Sequence, residues 1–197
     1  MKIRYAVIFL ALPLLCTTAQ ANSFLHYAGE FNFRTGEKQN NVTIAGLSAI
    51  TFDAKKNIFY AINDSRNNNK EGDASLYTLK IQVSSRGIEQ VNFLNQRPLL
   101  DAKQQPFVTN TVDAEGLALT HNGKSLLWSS ELGAPLRLST LDGVMEKDFT
   151  SLFPARFNIS SDKESSNGIR SGNAWEGLTV TPDGKSLFIA VESSLKQ

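Results

Sequence analysis

The chain of 197 residues contains one cysteine, two histidines and two tryptophans. Its single cysteine, Cys16, excludes an intramolecular disulfide, and it lies in the segment that an exported chain would lose. Neither His26 nor His121 has a histidine or cysteine at metal-ligand spacing, which excludes a zinc site of that type. The sequence also lacks a Gly-x-Ser-x-Gly elbow, a phosphate-binding glycine loop and an EF-hand pattern, so the hydrolase, nucleotide and calcium chemistries that depend on these motifs are excluded.

Residues 1–21 are typical of a secretory signal peptide. Lys2 and Arg4 precede an apolar run over residues 6–16, which is too short for a membrane span, and Ala-Gln-Ala follows as a cleavage sequence. We therefore predict cleavage after Ala21 and a periplasmic or secreted protein with no membrane contact. Without Lys2 and Arg4 the chain has 18 basic and 19 acidic residues. This nearly neutral charge gives no indication of nucleic-acid binding.

Residues 22–197 are predicted to form one all-β domain, because no stretch after the signal peptide shows a helical period of apolar residues. Short apolar and β-branched stretches bounded by turn residues predict strands instead. The predicted strands cover residues 24–33, 42–52, 58–62, 76–81 and 136–139, and the predicted loops cover residues 35–41, 63–73, most of 93–105 and 153–173.

A strand–turn–strand pattern occurs twice, at an offset of 61 residues and without a gap. In both copies a Glu-Gly-Leu motif begins the first strand and a glutamate follows the second. These glutamates are Glu115 and Glu131 in the first copy and Glu176 and Glu192 in the second.

A third, diverged copy lies earlier in the chain and ends at Asp64. Aligning its Gly-Leu pair on the two Glu-Gly-Leu motifs places Gly46 opposite Gly116 and makes this copy three residues longer. Many short strands and a repeat of 60–70 residues predict a β-propeller-like fold, with one four-stranded blade in each repeat. About three blades are visible, whereas a closed ring has about 4–8, so we expect an incomplete propeller without its C-terminal part.

Matching positions of successive blades lie around one axis, so the repeated carboxylates are expected to converge on a central channel. Crowded carboxylates need a bound cation, a basic partner or raised pKa values. Calcium, which takes 6–8 oxygen ligands, suits such a ring. The alternative for Glu115 and Glu176 is that they only bond neighbouring backbone amides. The predicted catalytic residues are Glu115, Glu131, Glu176 and Glu192, and the predicted metal ligands are Asp64, Glu131 and Glu192.

Two arginines, Arg66 and Arg170, follow polar loops close to these carboxylates in sequence. A guanidinium group suits phosphate or carboxylate, so both arginines are predicted to bind substrate. The alternatives are that Arg66 pairs with Asp64 and that Arg170 is a solvated loop charge. Trp128 and Trp175 are predicted to belong to the core of the blades.

Seven stretches resemble, in the same order, the phytase-like domain family, which is also called "esterase-like activity of phytase". The resemblance spans nearly all of residues 22–197 and implies an exported, propeller-like domain. The stretches are Gly-Leu-Ser-Ala-Ile (46–50), Phe-Tyr-Ala-Ile-Asn-Asp-Ser-Arg (59–66), Leu-Tyr-Thr-Leu (76–79), Asp-Ala-Glu-Gly-Leu-Ala (113–118), Ser-Ser-Glu (129–131), Asn-Ala-Trp-Glu-Gly-Leu (173–178) and Val-Glu-Ser (191–193).

Together with the repeated carboxylates, the resemblance implies a metal-assisted hydrolase of phosphate or carboxylic esters. In this hypothesis the carboxylates hold a cation such as Ca²⁺, and the two arginines bind an anionic ester. Two alternatives stay open. One is a non-catalytic propeller that binds a ligand or a partner protein, and the other is an inactive, truncated fragment.

Overall fold

The computed structural model describes residues 27–34, 36–39, 42–44, 46–160 and 166–196. The predicted signal peptide over residues 1–21 lies outside the described residues. The part of the chain that is described has strands and short 3-10 turns but no α-helix, which confirms the all-β prediction. None of its helical segments is long and apolar enough to cross a membrane.

Blade 1 is a four-stranded antiparallel meander preceded by a small strand pair. The turn between its first two strands is held by Asp53, whose Oδ1 accepts hydrogen bonds from the backbone N–H groups of Lys55 and Lys56. Asn57 ends this turn in the left-handed conformation, at φ 54°. The pair is β1 (Lys38–Gln39) and β2 (Val42–Thr43), and the blade is β3 (Leu47–Asp53), β4 (Ile58–Asn63), β5 (Ser75–Ser84) and β6 (Gly87–Pro98).

Blade 2 repeats this meander and shares one apolar core with blade 1. Trp128 lies in this core at 1% exposure, and its indole N–H donates to Ser139 Oγ at 2.8 Å. The Arg137 guanidinium lies 4.8 Å from the Trp128 ring, a cation–π contact on a buried residue. The strands are β7 (Ala114–Leu119), β8 (Ser125–Ser130), β9 (Leu136–Thr140) and β10 (Met145–Asp148).

The described strands of blade 3 form one antiparallel pair and one smaller parallel pair. Trp175 is 3% exposed and packs edge-on against Phe153 at 4.7 Å, so both tryptophans belong to the core as predicted. The elements are 3-10 turns over Thr150–Leu152 and Ala155–Phe157, the parallel pair β11 (Ile159–Ser160) and β12 (Ile169–Arg170), and the antiparallel pair β13 (Trp175–Val180) and β14 (Leu187–Val191).

The first strands of the three blades lie side by side in the order β3, β7, β13. The backbone N–H of Leu119 in β7 donates to Thr51 Oγ1 in β3 at 3.2 Å. On the other side of blade 2, Ser129 Oγ donates to the backbone oxygen of Glu176 in β13 at 2.6 Å. This stacking of meanders through their first strands is the arrangement of successive propeller blades, and it confirms the predicted propeller-like fold.

Five of the predicted elements differ from the structure. The loop predicted over residues 35–41 contains β1, and the loop predicted over residues 153–173 contains a 3-10 turn, β11 and β12. Residues 27–33, the described part of the strand predicted over residues 24–33, form no strand, and the predicted strand over residues 42–52 is interrupted between β2 and β3.

The loop predicted to start at Phe93 is wrong, because β6 continues to Pro98 and Phe93 is fully buried. Asn92, Asn95 and Gln96 conceal the strand in the sequence, because these polar residues are depleted in strands and lie here at half-buried positions of β6.

The strand pairing also corrects the alignment of the first repeat. Each first strand carries one extra residue, a β-bulge, between its first pair and the rest of its ladder. The register makes Leu47, Ala114 and Trp175 equivalent, so Ser48, and not the residue before Gly46, corresponds to Glu115 and Glu176. All three repeats then have the same length, and the three extra residues inferred from the glycine alignment do not exist.

Candidate functional site

Three glutamates from two neighbouring blades meet at one end of the inner strands. They are Glu131, which follows β8, Glu176 in β13, and Glu192, which follows β14. One carboxylate oxygen from each lies within 4.8 Å of the other two. Glu131 is buried, Glu176 is half-buried and Glu192 is exposed, so the cluster runs from the interior to the surface.

The repeat itself places these side chains. The residue after each second strand donates its backbone N–H to the residue just before the first strand, at 2.9 Å in all three blades: Asp64 to Gly46, Glu131 to Asp113 and Glu192 to Ala174. The bulge then turns the second residue of each first strand, which is Ser48, Glu115 or Glu176. Bulges re-aim side chains, so the same local geometry brings an acid of one blade next to an acid of the following blade.

Hydrogen bonds from the loop before β13 hold two of the carboxylates. Glu131 Oε1 accepts from the backbone N–H of Ala174 at 2.5 Å, and Glu192 Oε2 accepts from Asn173 Nδ2 at 2.8 Å. Among the described residues, neither carboxylate accepts a further hydrogen bond, so the second oxygen of each is open to another partner. The alternative for Glu115 and Glu176 was a hydrogen bond with a neighbouring backbone amide. Among the described residues, the glutamate that accepts such a bond is Glu131.

Burial and neighbouring carboxylates raise the pKa values of three acids in this region. Burial, then Glu131 and Glu192, raises the pKa of Glu176. Burial, then the charge of Glu176, raises the pKa of Glu115 to about 8, although Glu115 shares a hydrogen bond with Ser48. Burial and the charge of Asp113 likewise raise the pKa of Asp64. The region therefore favours protons or a cation.

The predicted substrate-binding residue Arg66 pairs with Asp113 rather than with Asp64. Its Nε and Nη2 donate to Asp113 Oδ2 at 2.8 and 2.5 Å, across the boundary between blades 1 and 2. Asp113 is almost completely buried, whereas the Arg66 side chain is 42% exposed. This ion pair raises the pKa of Arg66, and it holds the guanidinium group with one side open to solvent.

Asp113 and Asn173 are the site residues that the sequence interpretation missed. Both precede a first strand, one residue before β7 for Asp113 and two residues before β13 for Asn173. The corrected register would have found Asp113, because it aligns with Gly46 and Ala174, the residues that bind the backbone N–H after each second strand. Alignment on the Glu-Gly-Leu motif instead placed Gly46 opposite Gly116 and hid this equivalence.

The remaining predicted site residues are Asp64 and Arg170. Asp64, predicted as a metal ligand, lies near enough to Glu115 to raise its pKa but is not one of the three converging carboxylates. Arg170 ends β12 and is half-buried, and its backbone oxygen accepts from the N–H of Asn173. Their roles in metal and substrate binding stay predictions.

The donor set of the glutamate cluster fits a hard divalent cation. All three groups are carboxylates, the ligands that calcium and magnesium prefer, and their mutual repulsion is what a cation would relieve. The free oxygens of Glu131 and Glu192 and the carboxylate of Glu176 are the atoms that would hold it. Soft metals, which prefer thiolate or imidazole ligands, find no such ligand in this cluster.

The raised pKa of Glu115 predicts a pH-dependent stability. The folded state binds the proton of Glu115 more tightly than the unfolded chain does, so this contribution is complete below about pH 4.5 and is lost as the pH rises through about 8. We expect Glu115→Gln to reduce the fall in the thermal unfolding midpoint between pH 5 and pH 8. Some slope will remain, because Glu176 and Asp64 shift in the same direction.

Thermal unfolding of the full chain in chelator, followed by circular dichroism at several pH values, measures this slope. Glu146→Gln is the matched control, since Glu146 is an exposed glutamate of the outer strand β10. An equal slope in the wild type and in Glu115→Gln would contradict the assignment.

Comparison with known proteins places this chain in a family. A family model described as phytase-like, "esterase-like activity of phytase", matches residues 42–197. The chain belongs to the phytase-like family. The match contains the three blades and all five repeated carboxylates of this phytase-like domain.

A solved structure, the periplasmic gluconolactonase of Pseudomonas aeruginosa, is similar to the phytase-like domain at a TM-score of 0.46 and 13% sequence identity. The similarity covers 76% of this chain and 38% of the gluconolactonase chain. A search of curated proteins finds no match.

Proposed function

We propose that the phytase-like domain is a metal-assisted hydrolase of phosphate or carboxylic esters, with its site at the glutamate cluster. The observation that carries this proposal is the convergence of Glu131, Glu176 and Glu192 from two blades to within 4.8 Å. The description of the family as having esterase-like activity supports the reaction class. A cation held there would polarise the ester oxygen and activate a water molecule.

The remaining residues of the region have distinct roles in this proposal. Glu115, with a pKa of about 8, carries a proton at neutral pH and can donate it to the leaving alkoxide. Arg66, oriented by the buried carboxylate of Asp113, binds the anionic group of the substrate through its exposed side. Burial of Asp113 keeps this ion pair in one geometry, so the guanidinium group is preorganised.

The proposed location is the periplasm or the exterior of the cell. This proposal rests on the signal-peptide pattern of residues 1–21. An exported enzyme of this kind would meet small anionic esters outside the cytoplasm, where the concentration of free calcium is high enough for sites of moderate affinity.

Hydrolysis assays of the full chain test the function. We expect turnover of p-nitrophenyl phosphate, phytate or p-nitrophenyl butyrate, its loss in chelator, and its recovery on adding calcium. Absence of turnover on all three substrates, with a thermal midpoint that calcium leaves unchanged, would exclude the metal-dependent hydrolase. A calcium-dependent rise in the midpoint without turnover would favour the binding module instead.

An Arg66→Ala variant tests substrate binding within the same assays. We expect the KM for an anionic ester to rise about tenfold, equivalent to about 1.4 kcal/mol of binding free energy, with a smaller change in kcat. Lys185→Ala is the control, because Lys185 is an exposed cation in the turn between β13 and β14. An unchanged KM in Arg66→Ala would remove Arg66 from the substrate site.

A further inference from the structure

A cavity of about 420 Å³ lies where blades 2 and 3 meet. Its volume falls within the range of about 300–1,000 Å³ that is usual for small-molecule sites. Glu131 of the glutamate cluster is one of the residues that line it, so the cavity adjoins the candidate metal site. All of the lining residues lie between positions 131 and 175, so the cavity is built from two neighbouring blades and the segment that joins them.

Three aromatic residues line this cavity. Trp175 packs edge-on against Phe153, with ring centroids 4.7 Å apart, and Phe157 lies 6.1 Å from the same indole ring. The two 3-10 turns place these phenylalanines, since Phe153 follows the first turn and Phe157 ends the second. Ile159 adds an apolar side chain to the same lining. Such a surface favours an aromatic or apolar group of a ligand.

The segment between β8 and β9 supplies further lining residues and is held by hydrogen bonds. Ser130 Oγ donates to the backbone oxygen of Leu132 at 2.7 Å, and Arg137 Nη1 donates to that of Ala134 at 2.8 Å. Arg137 is only 4% exposed, so its guanidinium group fixes this segment from inside the blade. This side of the cavity is therefore formed before any ligand binds.

One polar group of the lining residues lacks a partner. Trp175 is 3% exposed, and its indole N–H has no acceptor among the described residues. Buried donors in folded proteins nearly always have an acceptor, so an unpaired one needs an explanation. A bound molecule that carries an oxygen atom would supply the missing acceptor.

The charge of the cavity limits what can enter it. Among the described residues, neither lysine nor arginine lines the cavity, and the ionisable group that does is the carboxylate of Glu131. A ligand group with further phosphates would lose its hydration here without gaining a basic partner, and the carboxylate would repel it. An uncharged ring meets neither cost.

We propose that this cavity binds the organic part of the ester that is hydrolysed at the glutamate cluster, and that this part is an uncharged aromatic or apolar group. The inference rests on the proposed function, because Glu131 belongs to both the cluster and the cavity and so places a reacting bond beside the lining rings. An ester of an aromatic alcohol fits this site, whereas phytate does not. The kcat/KM for p-nitrophenyl phosphate is therefore expected to exceed that for phytate.

Two phosphonates that cannot be hydrolysed test the cavity without turnover. Benzylphosphonate carries a ring beside its anionic group, and methylphosphonate does not. Isothermal titration calorimetry of the full chain in calcium is expected to show about tenfold tighter binding of benzylphosphonate. Phe157→Ala should remove most of this difference. Leu152→Ala is the matched control and should retain it, since Leu152 is 70% exposed and does not line the cavity.

A second variant keeps the test decisive if Phe157→Ala does not fold. Thr150 is an exposed residue that lines the cavity, so the ring added in Thr150→Trp is expected to occupy it and to weaken binding of benzylphosphonate but not of methylphosphonate. Circular dichroism and the thermal midpoint show whether each variant is folded.

Equal affinities of the wild type for the two phosphonates, or equal effects of Phe157→Ala and Leu152→Ala, would overturn the proposal. Failure of the proposed function gives a different pattern. Benzylphosphonate would then bind equally in calcium and in chelator, and Phe157→Ala would still weaken this binding, so the cavity would be retained and the metal site excluded.

Discussion

Glu176→Gln is expected to lower kcat/KM for the hydrolysed ester by about 10²-fold or more, and to abolish the rise in thermal midpoint that calcium produces. Glu176 is the middle member of the glutamate cluster, and its oxygen lies within 4.8 Å of oxygens of both Glu131 and Glu192. Glutamine keeps the shape of the side chain but removes the charge, so a cation at the proposed site would lose one of its three carboxylate ligands.

The same substitution has the opposite effect on the protein without a cation. Burial and the charges of Glu131 and Glu192 raise the pKa of Glu176, so its ionised form destabilises the folded state at neutral pH. In chelator, Glu176→Gln should therefore unfold at a higher temperature than the wild type. A residue with a purely structural role would not combine this gain with a loss of activity.

The measurement is a pair of melting curves, with calcium and with chelator, together with steady-state kinetics of the full chain. Glu146→Gln again serves as control, since it changes the net charge equally on an exposed strand remote from the cluster. If Glu176→Gln keeps the activity and the calcium-dependent shift of the wild type, the glutamate cluster is not the metal site.

The sequence predicted the converging glutamates because their repeat is visible without a structure. Glu131 and Glu192 hold matching positions in two similar hairpins, 61 residues apart in sequence. Glu115 and Glu176 are separated by the same 61 residues. A propeller-like fold converts an equal position in the blade into a neighbouring position in space. The structure adds that Glu131, which follows the second strand of blade 2, lies next to Glu176 in the first strand of blade 3. This proximity depends on the packing of β7 against β13.

The part of the site that the sequence did not predict depends on register. Asp113 and Gly46 have no chemical similarity, yet they hold the same position before a first strand and accept the same backbone hydrogen bond. Gly46 has φ 52°, so it is a glycine for a conformational reason and not because it matches Gly116. One bulge residue in each first strand, which sequence similarity cannot locate, is enough to hide this equivalence.

The blades themselves were predictable where apolar residues alternate and a tight turn follows, as in β3 with β4 and β13 with β14. The limits of the strands were not predictable where contacts from elsewhere decide them. Phe93 extends β6 into a polar stretch because it packs edge-on against Phe33 and Tyr77, at ring distances of 5.4 and 5.7 Å. Such contacts form only after the strands have paired.

The glycines of the two Glu-Gly-Leu motifs, Gly116 and Gly177, allow a matched pair of variants to test the packing between blades. Gly116→Ala is expected to lower the free energy of unfolding by about 3 kcal/mol, because the added methyl group would overlap Ser129 Oγ, Leu178 and the backbone of Glu176. Gly177→Ala places the same methyl group 3.7 Å from Ala190 Cβ, an ordinary contact, and should change stability by less than about 1 kcal/mol.

Neither glycine adopts a positive φ, so backbone strain does not separate the two variants and the difference reports packing alone. Urea unfolding of the full chain measures both free energies. Because Gly116 lies directly under Glu176, pushing blades 2 and 3 apart should also separate Glu131 from Glu176 and weaken calcium binding in Gly116→Ala. Equal losses of stability in the two variants would show that blade 3 does not pack on Gly116, and the glutamate cluster would then lose its structural basis.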